Sequence, residues 1–209
     1  HATELGDISN NGIAVFSSSC NQLVANDTNN TNDVFAFDIS NRSFQLLSHI
    51  PGIPNQVAND SAANPRISSD GRYVVFSSRS AEMDTSCSEA SEHIYLYDRT
   101  YTQVQLLSDC SFTAPEGYNS KPQNFHQHTI SGDGTTVVFN AGNDTLAVYD
   151  TFSQTLTTKS IEGLSEANIL RRHADLSGDG RYFLYQSLAV FDADGIPMDA
   201  NSQDKITVL

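Results

Sequence analysis

Tryptophan is absent from this 209-residue sequence, and lysine and cysteine occur three times each. The odd cysteine count prevents complete internal pairing. Cys87 and Cys110 flank the outer strands of one repeat and are expected to pair, leaving Cys20 free or joined to another chain. No Cys-x-x-Cys spacing occurs, which argues against a thiolate zinc site. No stretch of 18 apolar residues exists, so no apolar helix spans a bilayer. The serine-nucleophile elbow G-x-S-x-G, the dinucleotide fingerprint G-x-G-x-x-G and the phosphate loop are all missing. Positive charge is scarce too: 11 Lys and Arg stand against 25 Asp and Glu, a formal net charge of −14. A field of that sign repels nucleic acid and anionic membrane, so neither is expected as a partner. It attracts cations.

What the chain has instead is Asn, Ser, Thr and Asp, a composition that reads as extracellular or periplasmic. The opening His1-Ala2-Thr3 supports the same expectation of a secreted, processed protein. Five N-x-S/T sequons occur, at Asn26, Asn29, Asn41, Asn59 and Asn143.

One pattern recurs. "ISSDGRYVVF" from Ile67 has near-copies in "ISNNGIAVF" from Ile8, "ISGDGTTVVF" from Ile130 and "LSGDGRYFLY" from Leu176. The turn glycines Gly12, Gly71, Gly134 and Gly180 lie 59, 63 and 46 residues apart. Asx-Gly between β-forming residues marks a tight turn, because both tolerate positive φ. Each copy is preceded by a short extended segment. Each is followed by a third strand pattern: "DVFAFD" at Asp33–Asp38, "HIYLYD" at His93–Asp98, "TLAVYD" at Thr145–Asp150 and "KITVL" at Lys205–Leu209. A fourth follows in three units: "SFQLLS" from Ser43, "VQLLS" from Val104 and "TLTTKS" from Thr155. Four antiparallel strands repeated at about this period are the blades of a β-propeller.

The expected fold is therefore all-β. It is a propeller of four four-stranded blades, over residues 1–50, 51–110, 111–162 and 163–209, in one domain. Val75, Ile94 and Leu106 are expected to point between blades, and 163–172 is the one stretch that could form a helical turn.

The combination "ISxDGRYVVFxS", "DTN…DVF", "YD" and "LLS" resembles the TolB-like propeller family with its WD-repeat-like blades, in four copies over nearly the whole chain. The resemblance implies a fold more than an activity. Such blades occur in periplasmic assembly proteins, in secreted proteins and in the non-catalytic domains of peptidases. Relatives usually carry six blades or more. Here the fourth unit has no counterpart of "FQLLS" after Leu209, so its outer strand is missing. Three outcomes are open: the N-terminal stretch completes the last sheet, the chain is an excerpt of a longer propeller, or the edge is filled by another subunit. Strand addition at a free sheet edge is an established recognition mode. The leading expectation is a non-catalytic module that binds another copy of itself or another protein through that edge, as in an extracellular filament.

Two loops carry the oxygen donors that calcium prefers. In "NDTNNTND", Asp27, Asn29 and Asp33 form D-x-N-x-x-x-D ahead of a strand. In "DADGIPMDANSQD", Asp192, Asp194, Asp199, Asn201 and Asp204 fall within 13 residues. The competing reading is that these side chains form Asx-turns on their own backbone. Three histidines give an enzymatic alternative. His126 and His128 alternate along one strand, and His173 sits on the matching strand of the next unit. First strands line a propeller's channel, so these imidazoles could hold a transition metal for a polysaccharide lyase or hydrolase. A third reading is a detached propeller that controls access to a peptidase.

Overall fold

The computed structural model describes residues 3–83, 92–108, 128–141, 145–160, 169–187, 190–191, 197–199 and 203–208. Every regular element among them is a strand. The first sheet is β1 (Thr3–Ile8), β2 (Ile13–Ser18), β3 (Asp33–Asp38) and β4 (Ser43–Leu46), antiparallel and in chain order. The second repeats it with β5 (Ala62–Ile67), β6 (Tyr73–Ser78), β7 (His93–Asp98) and β8 (Gln103–Leu106). The third has β9 (His128–Ile130), β10 (Thr136–Asn140), β11 (Thr145–Asp150) and β12 (Thr155–Ser160). The fourth has three strands: β13 (Ile169–Leu176), β14 (Tyr182–Ser187) and β17 (Gln203–Val208). A small hairpin, β15 (Val190–Phe191) and β16 (Pro197–Asp199), intervenes between β14 and β17. The chain divides into two compact bodies, His1–Cys110 and Ser111–Leu209.

The repeated residues build repeated bonds. At each first turn a serine hydroxyl donates to the Asx two residues on: Ser9 to Asn11 at 2.5 Å, Ser68 to Asp70 and Ser131 to Asp133 at 2.6 Å, Ser177 to Asp179 at 2.7 Å. The same hydroxyl accepts the amide that opens the next strand, from Ile13, Tyr73, Thr136 and Tyr182, at 2.9–3.0 Å. The turn glycines have φ between 71° and 82°, which side chains with a Cβ seldom adopt. At the second turn the acid of each aromatic-Asp pair accepts the amide two residues on, from Ser40, Thr100 and Phe152, at 2.8–2.9 Å. Hydrogen bonds at this turn hold Asp38 and Asp150 below the usual carboxylate range; the Ser40 hydroxyl contributes most for Asp38 and the Ser153 amide for Asp150. The recurring serine of "LLS" also has a task. Ser48 Oγ accepts the Val34 amide and Ser108 Oγ the Ile94 amide, both at 3.0 Å.

Within the first body the two sheets share one core. Ile13, Val15, Val34 and Ala36 of the first sheet pack against Val74, Phe76, Tyr95 and Tyr97 of the second. Full burial of such a side chain contributes roughly 1.5–3 kcal/mol. The edges are tied as well. Asn10 N donates to Ser69 O at 2.9 Å, and Gln45 Nε2 donates to Tyr97 Oη at 3.1 Å. Arg99 Nε reaches Gln45 Oε1, also at 3.1 Å. The second body repeats the turn-to-turn link, with Asp133 N donating to Gly178 O at 2.8 Å.

Two expectations need correction. Among the described residues the N-terminal stretch adds no strand to the last sheet: Thr3–Ile8 pairs with β2, because its extended residues are the first strand of their own unit. Ile169–Arg172, within the stretch considered for a helical turn, lies in β13, so pairing to β14 overrides local preference. Leu106 packs between the first two sheets as expected, lying opposite Tyr95 and against the shared core, while Val75 and Ile94 are buried on the other face of the second sheet.

Candidate functional site

The loop between β2 and β3 of the first sheet carries Asp27 and Asn29 and ends at Asp33. Ser18 and Asp33 face each other in the ladder, so the loop is closed at its base by paired strands. Asp33 is fully buried. Its Oδ1 accepts from Ser48 Oγ at 2.8 Å and its Oδ2 from Asn29 Nδ2 at 3.0 Å. Burial pushes its pKa to about 6, the neighbouring Asp27 charge adds to the rise, and the two donated bonds oppose it. Asp27 is only 4% exposed, and neither of its carboxylate oxygens has a hydrogen-bond partner. Burial raises its pKa also.

Asn29 is spent on the loop itself. Its amide nitrogen donates to Asp33 and to Ala58 O, at 3.0 and 2.7 Å, and its Oδ1 accepts Thr31 N at 3.0 Å. Backbone partners on both ends fix the orientation of this amide. It leaves no free nitrogen for a glycan, so the sequon at Asn29 and the observed loop exclude one another. Two further oxygens of the loop, Asn21 Oδ1 and Thr31 Oγ1, are buried without partners. Asn21 Nδ2 donates to Asn30 Oδ1 at 2.9 Å. Sequence reasoning missed Asn21 and Thr31. The signal for them is their place in a loop with no Lys or Arg between Ser19 and Asn32.

The other sequence-derived residues are less fully placed. Asp199 falls on β16 and Asp204 on β17, in two different sheets. Asp192, Asp194 and Asn201 lie outside the described residues, as do Cys87, Cys110 and His126. Cys20 is a free, half-buried thiol. His128 is 3% exposed on β9, opposite Phe139. His173 lies on β13. Among the described residues no group of three or more His, Cys, Asp or Glu is arranged to hold a metal.

The fourth sheet differs from the others in exposure. Tyr182 and Leu184 occupy the ladder positions of Ile13 and Val15, as the shared turn register shows. Ile13 and Val15 are 5% and 2% exposed, whereas Tyr182 and Leu184 are 45% and 42% exposed. Among the described residues, β17 pairs on one side only, with β14.

No protein-family model matches the chain, and no curated protein does. Solved structures do. An oligogalacturonate lyase in complex with manganese is 14% identical, with a TM-score of 0.50 over 95% of this chain and 46% of its own. A chain of a mitotic checkpoint complex is 12% identical, with a TM-score of 0.50 over 96% of this chain and 49% of its own. Both are propellers. The fold is of the β-propeller type. At these identities the likeness shows fold alone. The chain spans about half the length of either protein. Among the described residues the last blade has three strands where each of the first three has four.

Proposed function

We propose that this chain is a non-catalytic propeller module, with TolB-like repeats, that works outside the cytoplasm by binding protein through its fourth blade. The partner is another copy of the chain or a second protein, and repeated use of the contact yields a filament. Calcium stiffens its loops. One observation carries the reading: β17 leaves its outer edge unpaired among the described residues, beside a face on which Tyr182 and Leu184 are exposed. A free edge offers a row of backbone donors and acceptors to an incoming strand, and the apolar face adds area that favours leaving water. A head-to-tail contact of this kind is heterologous, so it grows unless its geometry closes.

Sedimentation velocity over a wide concentration range tests this. Association that rises with concentration is expected, and Leu184→Lys should weaken it strongly while Tyr101→Lys, at an exposed turn between β7 and β8, should not. A chain that stays monomeric at every concentration, alone and with extracellular extract, overturns the proposal.

A further inference from the structure

In the first blade, a charged group sits where charge is expensive. An ionised carboxylate without a partner costs several kcal/mol to bury. Asp27 is in that position, with both oxygens unpartnered at 4% exposure. A proton alone does not resolve it, because the acid O–H would then need an acceptor. No cationic side chain is available in the loop's own sequence, and the ion pairs among the described residues, Arg72–Asp98 and Arg181–Asp179, lie elsewhere. The partners missing from Asp27 are matched by others missing nearby in the chain: Asn21 Oδ1 and Thr31 Oγ1 are buried and unpartnered too. Ser17 Oγ is a further orphan, but its ladder position beside Val34 puts it on the face opposite Asp33.

Every orphan in the loop is an oxygen. That set suits a hard divalent cation and not a thiophilic or imidazole-preferring one. Asn29 is already engaged at both ends of its amide, and its nitrogen positions Asp33. Asn21 is oriented by the bond from its other end to Asn30.

We propose that this loop holds one calcium ion on Asp27 Oδ1 and Oδ2, Asn21 Oδ1 and Thr31 Oγ1, with the Asp33 carboxylate supplying the second negative charge. Water and backbone carbonyls complete the 6–8 oxygens that calcium takes. Two carboxylates give a weak site, with a dissociation constant on the order of 10⁻⁴–10⁻³ M, the range of extracellular modules. The site deepens the calcium part of the reading above and rests on it, but it needs no self-association.

Titration calorimetry of the whole, chelator-stripped chain with calcium chloride provides the test. Wild type should bind calcium and melt at a higher temperature with it. Asp27→Asn should lose one equivalent, and Asn21→Ala should bind that equivalent several-fold more weakly. In chelator, Asp27→Asn should melt no lower than wild type, because it removes a buried charge. That control separates lost binding from lost folding. Wild type that takes up no calcium overturns the proposal. So does a stoichiometry unchanged in Asp27→Asn, which would put the ion elsewhere. A chain that binds calcium through Asp27 yet stays monomeric overturns the self-association reading and leaves this site standing.

Discussion

The first and second blades solve one problem with different chemistry. In both, a serine past the fourth strand accepts the second amide of the third strand, Val34 in one case and Ile94 in the other. In both, that serine also meets the residue opening the strand. In the first blade the residue is Asp33, which accepts from Ser48; in the second it is His93, whose Nδ1 lies 3.2 Å from Ser108 Oγ. The backbone clasp is therefore independent of whether an acid or an imidazole stands there. The blade does not require a carboxylate at 33, and burying one makes the first blade costlier than the second unless something neutralises it.

That difference can be broken most sharply with pH. Asp33 is raised on folding, from an ordinary 3.8 to about 6. A raised carboxylate binds its proton more tightly in the folded state, so its contribution is fully present below pH 3.8 and is lost as pH rises through about 6. Asp33→Asn removes this dependence. In calcium-free buffer, denaturant titrations should show wild type losing about 3 kcal/mol relative to the variant across that window, an order-of-magnitude value. Calcium should shrink the loss. A His93→Asn variant keeps Asp33 and should therefore lose stability across this window much as wild type does.

The serines sharpen the comparison by a smaller amount. Ser48→Ala removes a donor to a carboxylate oxygen and the acceptor of the Val34 amide, whereas Ser108→Ala removes the acceptor of the Ile94 amide and one contact of the His93 ring. Hydrogen bonds to charged groups are worth more. Above pH 6, Ser48→Ala should therefore cost about 1 kcal/mol more than Ser108→Ala in urea unfolding, and the gap should close as Asp33 protonates. Equal costs at all pH values would mean Asp33 is neutral throughout.

The smallest effect lies at the second turns. Arg42 and Thr102 both adopt positive φ, 58° and 54°, a conformation that costs non-glycine residues about 1–2 kcal/mol. Arg42→Gly should raise stability by about 0.5–1 kcal/mol, the gain reduced by the added freedom of the unfolded chain. Thr102→Gly should gain less, since the Thr102 side chain hydrogen-bonds Tyr97.

Strands and turns were legible because each repeat advertises its own geometry. Ser-x-Asx-Gly announces the first turn, aromatic-Asp the second, and period-two alternation the strands between. The positive φ at Arg42, Thr102 and Gln154 was not legible, since nothing about these side chains favours it and only the ladder imposes it. The acidic loop was legible in part. The spacing of Asp27 and Asp33 placed both on one loop, but the bond that Asn29 makes to Ala58, a residue 29 positions away, has no mark in the local sequence. The exposure of Leu184 was also beyond sequence, because it depends on what neighbours a face and not on the residues that compose it.

The clasp at Gln45 has a consequence for how the first body comes apart. Gln45 sits on β4, the outermost strand of its sheet, where fraying would ordinarily begin. Because it is held by Tyr97 and Arg99 of the adjacent sheet, that rim cannot peel without releasing the neighbour. Amide exchange along 43–46 should accordingly track the opening of 94–99, so that the two blades lose their slow-exchanging protons together as one cooperative block.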